Sequence, residues 1–171
     1  MQEKITKEVI LSFKNTFKKM GFGEIKIHPS YWSNDGFLVS RYHSRIDFNG
    51  GASGYLCLSL DNDFVIQLLN QLKISISKKY MLDVVAEISN ILAGNLGKVL
   101  GNGFSISTPY RLDNSLLDNK VLLQIPIEYK NGSGVLIVEA IKEVYAGCTI
   151  KQVSWKRDLQ LSKQLGLPIK N

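Results

Sequence analysis

Apolar residues recur at helical spacing in several segments of the chain. Residues 3–20 carry apolar side chains on one face, which predicts a first helix. A second, shorter helix is capped by Asp61 or Asp63 and continues through Leu72. A third helix, at about 80–100, has the longest apolar pattern of the three. Each of these helices has one apolar face and therefore needs a surface to pack against.

Most of the remaining chain alternates apolar with polar residues and is rich in β-branched and aromatic side chains, which is typical of strands. The predicted strands lie at 24–28, 36–48, 54–60, 103–108, 121–130 and 134–143. The last two, joined by Asn131-Gly132-Ser133, give the strongest hairpin signal. This order of elements predicts an α+β domain with long helices packed on one face of a mostly antiparallel sheet.

These elements form one domain, to which we assign residues 1–150. Residues 151–171 are predicted to add a C-terminal helix that Ser154 caps and in which Trp155 faces inward. We expect this extension to pack on the same domain. The alternative is a docking element for a partner or a second copy.

The helix at 80–100 has a polar stripe beside its apolar face. Asp83, Glu87, Asn90 and Gly94 are separated by 4, 3 and 4 residues and therefore stack along the helix. A solvated face with a chance glutamate and asparagine would explain the two polar residues. A glycine inside a helix costs about 1 kcal/mol relative to alanine, so Gly94 favours the close approach of another backbone or a partner.

The charge distribution argues against nucleic acid as the main partner, although the net charge is +6. The excess of basic over acidic side chains lies in residues 1–30 and 140–171, whereas residues 31–139 hold nine basic and ten acidic side chains. No basic stripe is interleaved with aromatic residues, as base stacking would require. No apolar run approaches the roughly 18 residues that span a bilayer, so no membrane partner is expected. The charged N-terminal segment lacks a signal-peptide core, and cytoplasmic localisation is the simplest expectation.

Other catalytic chemistry has little support in the sequence. His28 and His43 lie in separate strand regions without the spacing of metal ligands. Cys57 and Cys148 have no neighbouring base, so buried structural thiols are expected. No glycine-rich loop leads into Lys-Ser or Lys-Thr, which excludes a standard P-loop.

The segment Glu87-Ile-Ser-Asn90, followed by Ile-Leu-Ala-Gly94, resembles the Glu-x-x-Asn helix of the CheC/CheX/FliY chemotaxis phosphatases. In that family an Asp or Ser lies four residues before the glutamate, and here this residue is Asp83. A proline follows the family's asparagine by a little over twenty residues. Pro109 follows Asn90 by nineteen, so the intervening turn is tighter than in the family pattern.

A second resemblance is the glycine-rich segment 50–54, which leads into the predicted strand 54–60 as in single-site CheX-like members. Together the two resemblances cover most of residues 3–143 and imply a CheC-like fold for 1–150. Single-motif members of the family are typically homodimers, so a homodimer is implied. Asp83 is interpreted as a helix-start charge favoured by the helix dipole rather than as a chemical group, and Pro109 as a structural stop rather than a catalytic residue.

The resemblance implies a protein phosphatase that hydrolyses the aspartyl-phosphate of a CheY-like response-regulator receiver domain. Asn90 would orient the attacking water, Glu87 would pair with the receiver's lysine, and Asp83 and Gly94 would contact the partner. This chain would bind no cofactor or metal, because the divalent metal would belong to the receiver. The alternatives are a non-catalytic CheX-like module that binds a receiver or another signalling protein, and a structural scaffold with a vestigial motif.

Overall fold

The computed structural model of this chain describes residues 2–34, 38, 40–50, 53–100, 103–112 and 121–139. Within those residues the helices are α1 (Gln2–Lys19), α2 (Asn62–Leu72) and α3 (Lys78–Leu100). The strands are β1 (Lys26–Ile27), β2 (Tyr31–Ser33), β3 (Tyr42–Asn49), β4 (Gly54–Leu60), β5 (Ser105–Ile106), β6 (Leu122–Tyr129) and β7 (Gly132–Glu139).

The strands form one antiparallel sheet in the order β1-β6-β7-β4-β3-β5, and β2 also pairs with β6. Leu58 of β4 lies opposite Leu136 of β7, which lies opposite Ile125 of β6. Residues in register point to the same side of a sheet, so these three side chains form a continuous apolar row. The predicted α+β class with an antiparallel sheet is confirmed.

Helices α2 and α3 pack directly on the sheet face that carries this row, and α1 packs against α3 on the same side. Their buried side chains, including Phe13 of α1, Phe64 of α2 and Ile88 of α3, belong to the same core cluster as Leu58 and Leu136. Each such side chain contributes about 1.5–3 kcal/mol when it is fully buried. The predicted placement of the helices on one face is therefore also confirmed.

Aromatic side chains join the end of α1 to the rest of the core. The ring of Phe17 lies 4.6 Å from that of Phe13, 5.5 Å from that of Phe22 and 6.4 Å from that of Phe64, measured between centroids. Phe22 reaches this cluster because Gly21, just after the end of α1, has a φ of 77° that turns the chain back over the last helical turn. The predicted stop at Gly21 thus places an aromatic residue in the core.

Asp61 joins the start of α2 to the β6–β7 hairpin. One of its carboxylate oxygens accepts a hydrogen bond from the Phe64 amide (2.8 Å), which makes Asp61 rather than Asp63 the N-cap. The other oxygen accepts hydrogen bonds from the amide (2.8 Å) and hydroxyl (2.7 Å) of Ser133. One side chain therefore fixes both the beginning of the helix and its position on the sheet.

The β6–β7 hairpin forms as predicted, but its glycine has a different role. Tyr129 pairs with Gly132, so the turn residues are Lys130 and Asn131, and Lys130 takes the left-handed conformation with φ 53°. Gly132 is already in β7, where a Cβ atom would collide with the backbone of Phe64. The glycine is required by the close approach of α2, not by the turn.

The sequence pattern misplaced some of the other strand boundaries. The single strand predicted at 36–48 is wrong at its start, because the structure has β2 at Tyr31–Ser33 and begins β3 only at Tyr42. Trp32 pairs with Leu123 of β6, so β2 is held by a distant strand that local alternation cannot reveal. The strand predicted at 103–108 is reduced to Ser105–Ile106.

The predicted C-terminal extension, residues 151–171 with Trp155, lies outside the described residues, as does the end of the domain assigned to 1–150. Its packing therefore stays a prediction. Among the helices that the structure describes, none combines the length and the hydropathy needed to span a bilayer.

We predict that Asp61→Ala lowers the free energy of unfolding by about 2–3 kcal/mol, because it removes a helix cap and leaves the Ser133 amide without its acceptor. Asp61→Asn should lose less, since asparagine is an equally good N-cap residue. Urea denaturation would measure both changes. A matched control is Asp63→Ala, since Asp63 is exposed in the first turn of α2. Equal losses for Asp61→Ala and Asp63→Ala would contradict the linking role of Asp61.

Candidate functional site

Helix α3 begins two residues earlier than its apolar pattern indicates. The hydroxyl of Ser77 accepts a hydrogen bond from the Tyr80 amide at 3.2 Å, so Ser77 is the N-cap and the helix starts at Lys78. The Met81 amide donates to the Ser77 carbonyl at 2.9 Å, which closes the first turn. The polar stripe therefore lies inside a capped helix rather than at its frayed start.

The inner face of α3 holds the helix against the sheet and the other two helices. Val85 and Ile88 are fully buried and Leu92 is 2% exposed. Ser89 and Ala93 are also fully buried, and the Ser89 hydroxyl donates to the Val85 carbonyl at 2.8 Å within the helix. Small residues on this side allow the helix to pack closely on the sheet.

The outer face of the same helix carries the four residues of the polar stripe. Asp83, Glu87 and Gly94 are exposed, and Asn90 is half-buried. The structure thus brings the four residues together on one accessible ridge. Their catalytic and partner-binding roles remain predictions at this point.

The side-chain amide of Asn90 differs from that of its neighbour Asn95. Asn95 donates a hydrogen bond to the Thr16 hydroxyl at 2.9 Å and so ties α3 to α1. Asn90 has no hydrogen-bond partner within the described part of the chain, and Glu87 has no ion-pair partner there. Asn95 therefore stabilises the packing of α1 on α3, whereas the side-chain oxygen and nitrogen of Asn90 are both available to bind a molecule outside the fold.

The helix dipole does not account for Asp83. Because α3 starts at Lys78, Asp83 lies beyond the first turn, which contains no acidic residue. The favourable effect of the dipole fades within that turn. The interpretation of Asp83 as a helix-start charge is therefore not supported, and its exposed carboxylate belongs to the same stripe as Glu87.

The two glycines of α3 are present for different reasons. A Cβ atom on Gly97 would overlap the ring of Phe104, so this glycine allows the segment after α3 to pack against the helix. A Cβ atom on Gly94 would meet no atom within 4 Å, and the residue is exposed. Nothing within the described residues requires a glycine at position 94, although it weakens the helix.

Within the described residues, Cys57 and the two histidines offer no competing catalytic site. Burial raises the pKa of the Cys57 thiol to about 12, although the charge of Arg45 opposes the shift, so the thiol stays protonated at neutral pH. His28 contacts Glu128 at 3.0 Å, whereas His43 lies between the Ser40 and Leu112 backbones. Among the residues placed by the structure, no three His, Cys, Asp or Glu side chains form a metal-binding group. Cys57 is the buried thiol that was expected.

A polar cluster that the sequence did not reveal lies on the sheet face opposite the helices. The Arg45 guanidinium lies 3.8 Å from the Tyr55 ring centroid and donates to the Asp47 carboxylate at 2.8 Å. The Tyr110 hydroxyl donates to the same carboxylate at 2.7 Å. Burial and this hydrogen bond raise the pKa of Tyr110 to about 12, so it remains a donor at neutral pH.

This cluster fixes the segment that contains Pro109. Arg45 and Tyr110 also exchange two backbone hydrogen bonds, of 2.8 and 2.9 Å, so the chain after β5 is held against β3. Arg45 and Asp47 are two residues apart in a strand, which places them on one face, but Tyr110 is distant in sequence. Pro109 is half-buried directly before this bridge, in keeping with a structural role.

The fold is shared with solved structures of chemotaxis proteins. A CheC-like protein from Shewanella oneidensis MR-1 matches with a TM-score of 0.64 and 20% identity, over 81% of this chain and 99% of that chain. CheX from Vibrio vulnificus gives a TM-score of 0.64 and 17% identity, over 80% and 98% of the two chains. The CheX–CheY–BeF3–Mg2+ complex from Borrelia burgdorferi gives a TM-score of 0.59 and 18% identity, over 80% of this chain and 96% of that chain. The class defined by this likeness is the CheC-like fold.

The sequence itself identifies the family within that class. A family profile described as chemotaxis phosphatase CheX matches residues 42–128, just over half of the chain, including the whole of α3. The chain belongs to the CheX family of chemotaxis phosphatases. A comparison with curated proteins gives no significant match.

The two glycines of α3 give a stability prediction with opposite signs. Gly94→Ala should raise the free energy of unfolding by about 0.5–1 kcal/mol, because alanine favours the helix and its methyl group meets no atom. Gly97→Ala should lower it by about 1–3 kcal/mol, because the methyl group overlaps the Phe104 ring. Urea denaturation of the two variants would measure both changes. Loss of stability in Gly94→Ala would show that the fold itself needs that glycine.

Proposed function

We propose that this protein hydrolyses the aspartyl-phosphate of a CheY-like response-regulator receiver domain. The observation that carries the proposal is the state of Asn90. Its amide is accessible and lacks a partner among the described residues, and it lies one turn from the exposed Glu87 on a capped helix. Membership of the CheX family supports the reaction class, and the CheX–CheY complex of the Borrelia burgdorferi relative supports the partner class.

The chemistry requires little from this chain because an acyl phosphate is already reactive. The oxygen of a water molecule attacks phosphorus, the bond from phosphorus to the aspartyl oxygen breaks, and the carboxylate leaves with the bonding electrons. The water's protons pass to the phosphate product or to solvent. Hydrolysis of this kind depends mainly on positioning and on stabilisation of charge. In this proposal, the receiver's own divalent metal and lysine supply that stabilisation, and this chain binds no cofactor.

Asn90 supplies the positioning. A side-chain amide can accept a hydrogen bond from the water through its oxygen and donate through its nitrogen, and it does not compete as a nucleophile. The neighbouring buried residues Val85, Ile88 and Leu92 hold the helix in place, so the amide needs little ordering when the receiver binds. Because Cys57 is buried with a raised pKa, a thiolate mechanism at that residue does not compete with this assignment.

Glu87 and Gly94 define the docking register on either side of Asn90. Glu87 is exposed and three residues before Asn90, so its carboxylate can pair with the receiver's lysine while the amide enters the active site. Gly94 is one turn further on, and its missing side chain leaves room for the receiver's backbone. Asp83 extends the acidic side of the contact by another turn.

Three further expectations belong to the same proposal. The protein forms a homodimer, it works in the cytoplasm where receiver domains are phosphorylated, and it needs no nucleic acid or membrane for activity. Size-exclusion chromatography with light scattering would test the dimer. If the protein is a monomer and still hydrolyses the receiver phosphate, the homodimer expectation is wrong and the assignment of Asn90 is unaffected.

A non-catalytic CheX-like module that binds a receiver is the second candidate. The observation that favours it is the interval of nineteen residues between Asn90 and Pro109, which is shorter than the family pattern. Binding without phosphate release, by the wild-type protein and across several phosphorylated receivers, would select this candidate.

We predict that Asn90→Ala lowers the dephosphorylation rate by about 10²–10³-fold, as for other single preorganised hydrogen-bonding groups, and leaves receiver binding intact. Phosphate release from CheY-like receivers, phosphorylated with acetyl phosphate and Mg2+, would measure the rate. The matched control is Asn15→Ala, which removes an exposed amide from α1 away from the stripe. The assignment is wrong if Asn90→Ala releases phosphate as fast as the wild type.

We also predict that Glu87→Ala weakens both receiver binding and turnover. Truncating one partner of a desolvated charge pair costs about 2–5 kcal/mol, which corresponds to a rise in Kd of at least about 30-fold. Isothermal titration calorimetry would measure Kd, and Glu87→Gln would separate the charge from the shape of the side chain. An unchanged Kd in Glu87→Ala would exclude the proposed contact with the receiver's lysine.

A further inference from the structure

An exposed apolar patch lies directly before the polar stripe. Tyr80 is 44% exposed, Ile76 is 55% exposed and Ile74 is 38% exposed. These residues are three of the six large exposed hydrophobic side chains in the described part of the chain, and they fall within seven consecutive residues. Exposed apolar side chains that cluster in this way mark interaction sites more often than single ones do.

The backbone that carries the patch is fixed at both ends. At the end of α2, Lys73 takes the left-handed conformation, its amide donates to Asn70, and the Ile74 amide donates to Leu69 at 3.0 Å. At the start of α3, the Ser77 hydroxyl accepts the hydrogen bond from Tyr80. A segment held at both ends needs little backbone ordering when a partner covers its side chains.

Tyr80 continues the stripe that contains Asn90. It lies three residues before Asp83, and the resulting intervals of 3, 4, 3 and 4 residues between Tyr80 and Gly94 keep all five residues on one side of the helix. Along the helix axis, the ten residues from Tyr80 to Asn90 span about 15 Å. A typical interface of about 800 Å² per partner extends about 16 Å from its centre. A partner centred on Asn90 therefore reaches Tyr80.

We propose that Ile76 and Tyr80 form a docking anchor for the receiver domain on which Asn90 acts. The inference rests on the proposed function and adds to it the residues that supply affinity. The receiver is the occupant to which we commit, because Tyr80 lies within its expected footprint on the same helix as Asn90, and the exposed Ile76 lies just before that helix. The exposed Lys78 and Lys79 beside the patch favour an apolar receiver surface with acidic residues at its edge.

The position of the anchor determines which kinetic constant it controls. Tyr80 lies too far from Asn90 to touch the phosphoryl group or the attacking water. Its contact with the receiver is the same in the ground state and in the transition state. An interaction of this kind lowers KM and leaves kcat unchanged, whereas the contact made by Asn90 acts on kcat.

The test compares four variants with the wild type in phosphate release and in direct receiver binding. The probe is a panel of CheY-like receivers phosphorylated with acetyl phosphate and Mg2+. Tyr80→Ala and Ile76→Ser should each raise KM and Kd by about 10- to 30-fold and change kcat by less than about twofold. Tyr80→Phe should restore binding, because the ring makes the contact. Leu11→Ala, which truncates a 48% exposed apolar residue on α1, is the matched control and should change neither constant.

The outcomes separate this inference from the proposed function. If the wild type hydrolyses a receiver phosphate and Tyr80→Ala has unchanged KM and Kd, the anchor is refuted and the phosphatase assignment stands. If the wild type binds a receiver without hydrolysis, a weaker Kd in Tyr80→Ala supports the anchor and the catalytic assignment fails. If no receiver binds, both are overturned. Conversion of a wild-type dimer to a monomer by Tyr80→Ala would make a second copy the occupant and would overturn the inference.

Discussion

The burial of one face of α3 against the sheet is the interaction on which the rest of the structure depends. Val85, Ile88 and Leu92 are almost completely removed from solvent, and each contributes about 1.5–3 kcal/mol. Because the helix cannot rotate without exposing them, the opposite stripe must face outward. The residues of that stripe contribute little to the fold, so Glu87 and Asn90 are available for contact with a partner.

The two sides of the sheet serve different purposes. The helical side holds the continuous apolar core and supports α3. The other side holds a smaller cluster around Tyr55 and Ile137, together with the Arg45, Asp47 and Tyr110 contacts. Since Tyr110 pairs with β3 through its backbone and its hydroxyl, this side fixes the segment that follows β5. Close packing after the helix, with Gly97 against Phe104, fixes the same region from the other side.

Local sequence patterns predicted the features of the structure that depend on residues near each other in the chain. Helical periodicity placed Val85 and Ile88 inside and Glu87 outside, and the alternation in β6 and β7 predicted their hairpin. Long-range contacts were not predictable in this way. Gly132 looked like a turn glycine, but the distant Phe64 requires it.

The candidate site shows the same limit. The resemblance to the Glu-x-x-Asn helix identified the residues, and periodicity placed them on one stripe, but neither revealed that Asn95 is used by the fold while Asn90 is not. That distinction depends on Thr16, a residue of another helix. The exposure of Tyr80 likewise depends on where the helix starts, which is set by the Ser77 cap. Because this cap starts the helix at Lys78, Asp83 lies beyond the first turn, and the helix dipole does not explain its charge.

The separation of Asn90 from the apolar patch has a consequence for how such a protein changes function. An amide that orients water controls the rate of hydrolysis, whereas contacts one to three turns away control affinity. Loss of the amide alone would convert a phosphatase into a module that still binds the receiver, with no change in the core. In this proposal, a phosphatase and a receiver-binding module would share one docking surface and would differ in whether the Asn90 amide orients the attacking water. Sequence likeness over the whole fold cannot distinguish them, because the buried face of α3 is needed in both.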